Sequence, residues 1–135
     1  MHCGKTNIKK LEKLNERALR FVNNDMYSNY ETQLEKSRKN SLLKTRLKFL
    51  AVEMYKVKNN LTPNYIFELF TPEILPYNLR YTEKFILPAY RTKTYGYRSF
   101  NYMGAKLWNN LDNNCRNSSS LFQFVSYWSV VKGSH

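Results

Sequence analysis

Carboxylates are scarce in this chain: 10 Asp and Glu stand against 22 Lys and Arg, a formal charge of +12 over 135 residues. Metal-dependent phosphoryl chemistry needs clustered carboxylates to hold its ions. Here Asp25, Glu31, Glu53, Glu68, Glu73, Glu83 and Asp112 are dispersed, and no Asp-Asp pair occurs. The two cysteines, Cys3 and Cys115, lie far apart. They have no metal-ligand spacing and are too few for a disulfide framework, so they read as free thiols of a reducing compartment. The two histidines, His2 and His135, sit at the extreme ends, where neither is expected to act as ligand or base. There is no long apolar run to cross a membrane and no apolar leader at the start. The expected setting is therefore intracellular, nuclear or cytoplasmic, and the sequon Asn117-Ser118-Ser119 carries little meaning. Phosphate-binding loops, Gly-rich dinucleotide turns, nucleophile elbows and Cys–His pairs are also missing, which leaves no expected catalytic residue, metal or cofactor.

What remains is a basic chain with enough apolar residues, 42%, to fold as one domain spanning residues 1–135. Such an excess of positive charge repels itself unless a polyanion relieves it; nucleic acid is the first candidate and an anionic membrane the second. A merely solvated basic surface is the plainer alternative.

The periodicity is mostly helical. Ile8, Leu11, Leu14, Ala18 and Val22 recur at helical spacing over about residues 7–23, with Thr6 as a cap. The opposite arc carries Lys9, Lys10, Lys13, Arg17 and Arg20. Ser28 and Glu31 have capping-box spacing, which predicts a short helix to Lys36. The longest helix is predicted over about 41–59, with Leu43, Leu47, Leu50, Met54 and Val57 as its stripe. Further apolar residues lie off the stripe, so it is expected to be central. Thr62-Pro63 restarts a helix. Pro72 and Pro76 end the helical period, and Phe85-Ile86-Leu87 and Tyr90 to Arg98 read as short strands or extended segments. A helix resumes over about 100–111. A polar loop follows, and Ser118 or Ser119 caps a last helix containing Phe124 and Trp128. The fold expected is a mainly α domain of four to five helices, some short, with an extended or β-hairpin insertion near residues 84–99.

The stretch from Lys84 to Lys106 has no acidic residue. Its cations Arg91, Lys93 and Arg98 alternate with Tyr90, Tyr95, Tyr97, Phe100 and Tyr102. Cations contact phosphates and aromatic faces stack on unpaired bases. On a strand, Arg91, Lys93, Tyr95 and Tyr97 would share one face. The same residues also suit a strand whose rings cover the helices, and both readings stay open. The candidate nucleic-acid contacts are thus Lys10, Lys13, Arg17 and Arg20 on the first helix and Arg91, Lys93, Tyr95, Tyr97 and Arg98 in this segment.

Several blocks also carry a family resemblance. They are Cys3 to Asn7 followed by Lys10 to Val22, then Tyr30-Glu31, Leu34 to Ser37, and Arg46-Leu47 with Leu50 to Lys56. Asn60 to Pro63, Tyr77 to Arg80, Arg91-Thr92, Tyr95 to Phe100 and Gly104 to Asn109 continue the order. Together they resemble the region after the polymerase core in non-LTR retrotransposon reverse transcriptases of the jockey type. The likeness runs to about Phe124. It implies a parent enzyme that copies element RNA into DNA. That family's Tyr-x-Asp-Asp polymerase motif and its endonuclease domain are absent from this chain, so no catalytic residue carries over. The chain departs from the pattern at Asp112 to Cys115, where the family usually has a Pro-containing turn, and from Ser126 onward, as a decayed or truncated copy would. The expected function is that of a non-catalytic, nucleic-acid-binding C-terminal fragment, with RNA or single-stranded DNA as a non-specific partner. The alternative is a non-functional or protein-interaction remnant whose helices packed on the missing polymerase core. A membrane-surface role has only the amphipathic first helix behind it and is not expected.

Overall fold

The computed structural model describes residues 4–74, 83–92 and 95–133, the last three without their side chains. As the sequence predicts, it is mainly helical with one small antiparallel pair of strands. Seven helices occur among the described residues: α1 (Lys5–Val22), α2 (Tyr30–Lys36), α3 (Leu42–Lys58), α4 (Asn64–Phe67), α5 (Phe100–Asn109), α6 (Asn113–Arg116) and α7 (Leu121–Gly133). Both α4 and α6 are single turns, and α6 occupies what reads from sequence as a polar loop. Strand β1 (Thr71–Pro72) pairs with β2 (Phe85–Ile86), Thr71 opposite Ile86. The chain divides into two compact units, residues 1–47 and 48–135, with the boundary inside α3.

With few glycines, the chain ends its helices by other means. Asn24, Arg38 and Asn60 adopt positive φ angles of 49°, 51° and 54° just after α1, α2 and α3. In each case the next N–H reaches back to a carbonyl of the last turn: Asp25 to Arg20 at 3.1 Å, Lys39 to Leu34 at 3.0 Å and Leu61 to Lys56 at 2.9 Å. This is the Schellman closure, made here by two Asn and an Arg where Gly is usual. Helix starts differ slightly from expectation. Gly4, not Thr6, precedes α1, and Pro63 rather than Thr62 stands at the cap of α4. Asn29 caps α2 through the Thr32 N–H, because the Ser28 hydroxyl is taken by Asp25. Ser120, not Ser118 or Ser119, accepts from the Gln123 N–H at the start of α7. Ser118 is instead buried, its hydroxyl donating to the Cys115 carbonyl.

The first unit is joined by polar groups. Gln33 of α2 is fully buried; its amide donates to the Asp25 carbonyl at 2.7 Å and its side-chain oxygen accepts from Asn23 at 2.7 Å. The Tyr30 hydroxyl donates to Glu12 of α1, whose other carboxylate oxygen accepts from the Leu43 N–H at 3.0 Å and so caps α3. This network turns α1 away from the orientation its apolar spacing predicts. Leu19, off the predicted stripe, is the buried residue of α1, while Leu14, Ala18 and Val22 are exposed.

The second unit has a conventional core: Met54, Val57, Ala105, Trp108 and Phe124 are fully buried. Trp108 stacks on Phe124 with ring centroids 6.0 Å apart and lies 6.4 Å from Phe85. Its indole N–H donates to the Glu83 carbonyl at 2.8 Å. Asn109 bonds both the N–H and the carbonyl of Phe85, extending the β2 backbone pairing with a side-chain amide. The long helix supplies Leu50, Ala51, Met54, Tyr55 and Val57 to this core, in keeping with a helix covered on several faces. Gly104 passes so close to Met54 that a Cβ there would meet its Sδ at 2.6 Å.

The two predicted stripes thus differ in what they bury. Replacing Met54 with Ala is expected to cost about 2–5 kcal/mol in urea unfolding. Leu14→Ala on α1 should change stability by less than about 0.5 kcal/mol.

Candidate nucleic-acid interface

On α1 the structure exposes Lys10, Lys13 and Arg17, and none of them forms an ion pair among the described residues. At a rise of about 1.5 Å per residue they form a cationic row about 10 Å long. Arg20, the fourth expected member, is half-buried and bonded to Glu16 at 2.7 Å, so its charge is already matched within the helix. Beside the row stand two apolar residues that sequence reasoning did not select for contact, Leu14 and the 85%-exposed Phe21. The signal for Phe21 was present, since it falls off the predicted apolar stripe.

The carboxylates, by contrast, are largely committed. Glu16, Asp25, Glu53 and Glu83 pair with Arg20, Lys36, Lys56 and Lys58. Asp25 also accepts the N–H groups of Tyr27 and Ser28, each at 3.1 Å, and the Lys36 ammonium beside it is the main reason its carboxyl is held far below the usual range. Glu12 caps α3 and Asp112 caps α6.

Among the described residues from Tyr90 to Arg98 there is no strand. Gly96 and Tyr97 both donate to the Thr92 carbonyl, at 3.0 and 3.2 Å, and Ser99 donates to Gly96 at 3.1 Å, folding residues 95–98 into a turn. The reason is local. A Cβ at Gly96 would lie 2.3 Å from the Tyr90 Cβ, so only glycine lets the segment close on itself. The shared strand face expected for Arg91, Lys93, Tyr95 and Tyr97 therefore does not form, and Lys93 lies outside the described residues.

The closed turn separates the tyrosines. Tyr90, Tyr97 and Tyr102 pack ring against ring, with centroids 5.6, 4.8 and 5.2 Å apart. The Lys106 ammonium sits 4.9 Å over the Tyr97 ring and donates to its hydroxyl at 3.1 Å. That hydrogen bond raises the Lys106 pKa. Tyr97 is thus a packing residue, whereas Tyr95 is 82% exposed and offers its ring to solvent. Arg91 is exposed and Arg98 half-exposed, and neither has an ion-pair partner among the described residues.

Among the described residues no three His, Cys, Asp or Glu side chains come together as a metal site. Burial, and then nearby Asp112, push the Cys115 thiol up to about 11, far from a reactive thiolate at neutral pH. No helix among the described residues is long and apolar enough to cross a membrane. Arg116, which the sequence does not single out, is buried with its Nε and one Nη lacking partners.

Tyr97→Ala removes two ring contacts and should lower stability by about 1–3 kcal/mol. Tyr95→Ala should leave the unfolding midpoint essentially unchanged, within about 0.5 kcal/mol. Thermal and urea unfolding of both variants check this separation of a packing tyrosine from a solvent-facing one.

No family model, curated protein or solved structure matches this chain.

Proposed function

We propose that the chain is a non-catalytic module that binds single-stranded RNA or DNA without sequence preference, and that it corresponds to the C-terminal region of a non-LTR retrotransposon reverse transcriptase. The observation that carries the binding reading is the division of charge. Six of the ten carboxylates are used in ion pairs and helix caps, while Lys10, Lys13, Arg17 and Arg91 face solvent without ion-pair partners among the described residues. Unmatched cations are free to neutralise phosphates, and doing so releases the strand's own condensed ions. Exposed rings beside them, Phe21 on α1 and Tyr95 in the turn, supply stacking surfaces that every base can use. The parent-enzyme part of the reading rests on the sequence resemblance.

A second reading is favoured by one observation. Leu14, Phe21, Val22, Met26 and Tyr27 are all exposed in the first unit, and a missing protein partner would leave such a patch. In that reading α1 packs on a polymerase core.

Titration of single-stranded RNA, single-stranded DNA and duplex at several salt concentrations tests the first reading. Affinity should fall with salt by a log–log slope of about −0.7 for each phosphate contacted on a single strand. Replacing Lys10, Lys13 and Arg17 together with Ala should make that slope shallower by about two. Salt-insensitive binding, or none at low salt by a folded sample, would leave the protein-partner reading in its place.

A further inference from the structure

The second unit contains a cavity of about 310 Å³ at the C-terminal end of α3, between α4 and the two strands. It is near the lower end of the roughly 300–1,000 Å³ of small-molecule sites, so it suits one ring system better than a longer ligand. It is lined by Phe67, Pro72, Glu83 and Phe85, of which Phe85 is buried with its ring against Phe70 and Trp108. Lys58 also lines it, but that ammonium is bonded to Glu83 and to the Arg116 carbonyl at 2.8 Å, so the pair adds little net charge. Two groups remain for a ligand. The exposed Lys84 has no ion-pair partner among the described residues. Asn60, exposed at the Schellman closure, carries an amide that both donates and accepts.

Resting on the single-strand reading above, we infer that this cavity receives one unpaired base of the bound strand, with Lys84 on the adjoining phosphate. The Phe67 ring takes the face of a base with Pro72 beside it, and the Asn60 amide satisfies an edge without choosing among bases, because it offers both a donor and an acceptor. A phosphate beside a base is the one repeating unit of a strand that matches an apolar slot next to a lone cation. The cavity makes a contact independent of Tyr95 and of the α1 row.

The test compares the full chain on an intact 12-nucleotide single strand with an abasic sugar-phosphate strand of the same length. Phe67→Ala and Asn60→Gly are the variants. Glycine tolerates the positive φ of Asn60, so the second variant keeps the fold even if the first loosens it. The intact strand should bind more tightly than the abasic one, and each variant should reduce that ratio, Phe67→Ala by roughly fivefold or more, with the salt slope unchanged. A ratio that stays at the wild-type value in both folded variants overturns the inference while leaving strand binding intact. Competition by a short acidic peptide bearing phenylalanine, with that ratio unchanged, overturns it in favour of a protein side chain. Failure of both strands to bind removes the single-strand reading and this inference together.

Discussion

The second unit depends on the burial of one side chain, Trp108. Its ring is closed in by Phe124 and Phe85, and its only polar atom is satisfied by the Glu83 carbonyl. An indole this large is stabilising only when its N–H finds a partner, because an unmet buried donor costs about 1–3 kcal/mol. The Glu83 carbonyl therefore ties the start of β2 to α5. Asn109, one residue further, repeats the tie at Phe85 with two hydrogen bonds. Through Phe124 the same ring reaches α7, and Phe124 in turn packs on Tyr55 of α3 at 4.9 Å. Helices α3, α5 and α7 and the strand pair are thus fixed around one ring.

The first unit follows a different rule. A buried glutamine, with Asn23 and the Asp25 backbone as partners, sets how α1 meets α2. Polar packing of this kind demands matched hydrogen bonds but buries little apolar surface. Its consequence is that apolar and basic residues of α1, among them Leu14, Phe21, Lys10, Lys13 and Arg17, are both exposed. The second unit has an aromatic core, yet large apolar side chains such as Phe49, Tyr65, Ile74 and Phe122 stay exposed there as well.

Apart from the single turn α6, the helices were legible because their apolar spacing is strong and their ends are marked by Asn, Pro and Ser. The long helix falls within a residue or so of its predicted limits. The orientation of α1 was not legible, since Gln33 looks like a surface residue in sequence and only its burial turns the helix. The Tyr90 to Arg98 segment was misread as a strand for a related reason. Alternating Tyr and Thr favour strands, but the contact between Gly96 and Tyr90 is set by a tight local closure of the chain that strand propensity does not encode. Of the candidate contacts, Lys10, Lys13, Arg17, Arg91 and Tyr95 are presented to solvent, while Arg20 and Tyr97 are engaged within the fold. The cavity beside Lys84 had no sequence signal, because its walls come from four separate elements of the chain.

The central claim is that the cations not used by the fold are the ones that hold a strand. Lysine acetylation rates, read residue by residue by mass spectrometry with and without a saturating single-stranded oligonucleotide, test it most directly. Lys10 and Lys13 should react readily in the free protein and become protected in the complex. Lys106, held by Tyr97, should react slowly and equally in both states. Unchanged rates at Lys10 and Lys13 under saturation would contradict the account.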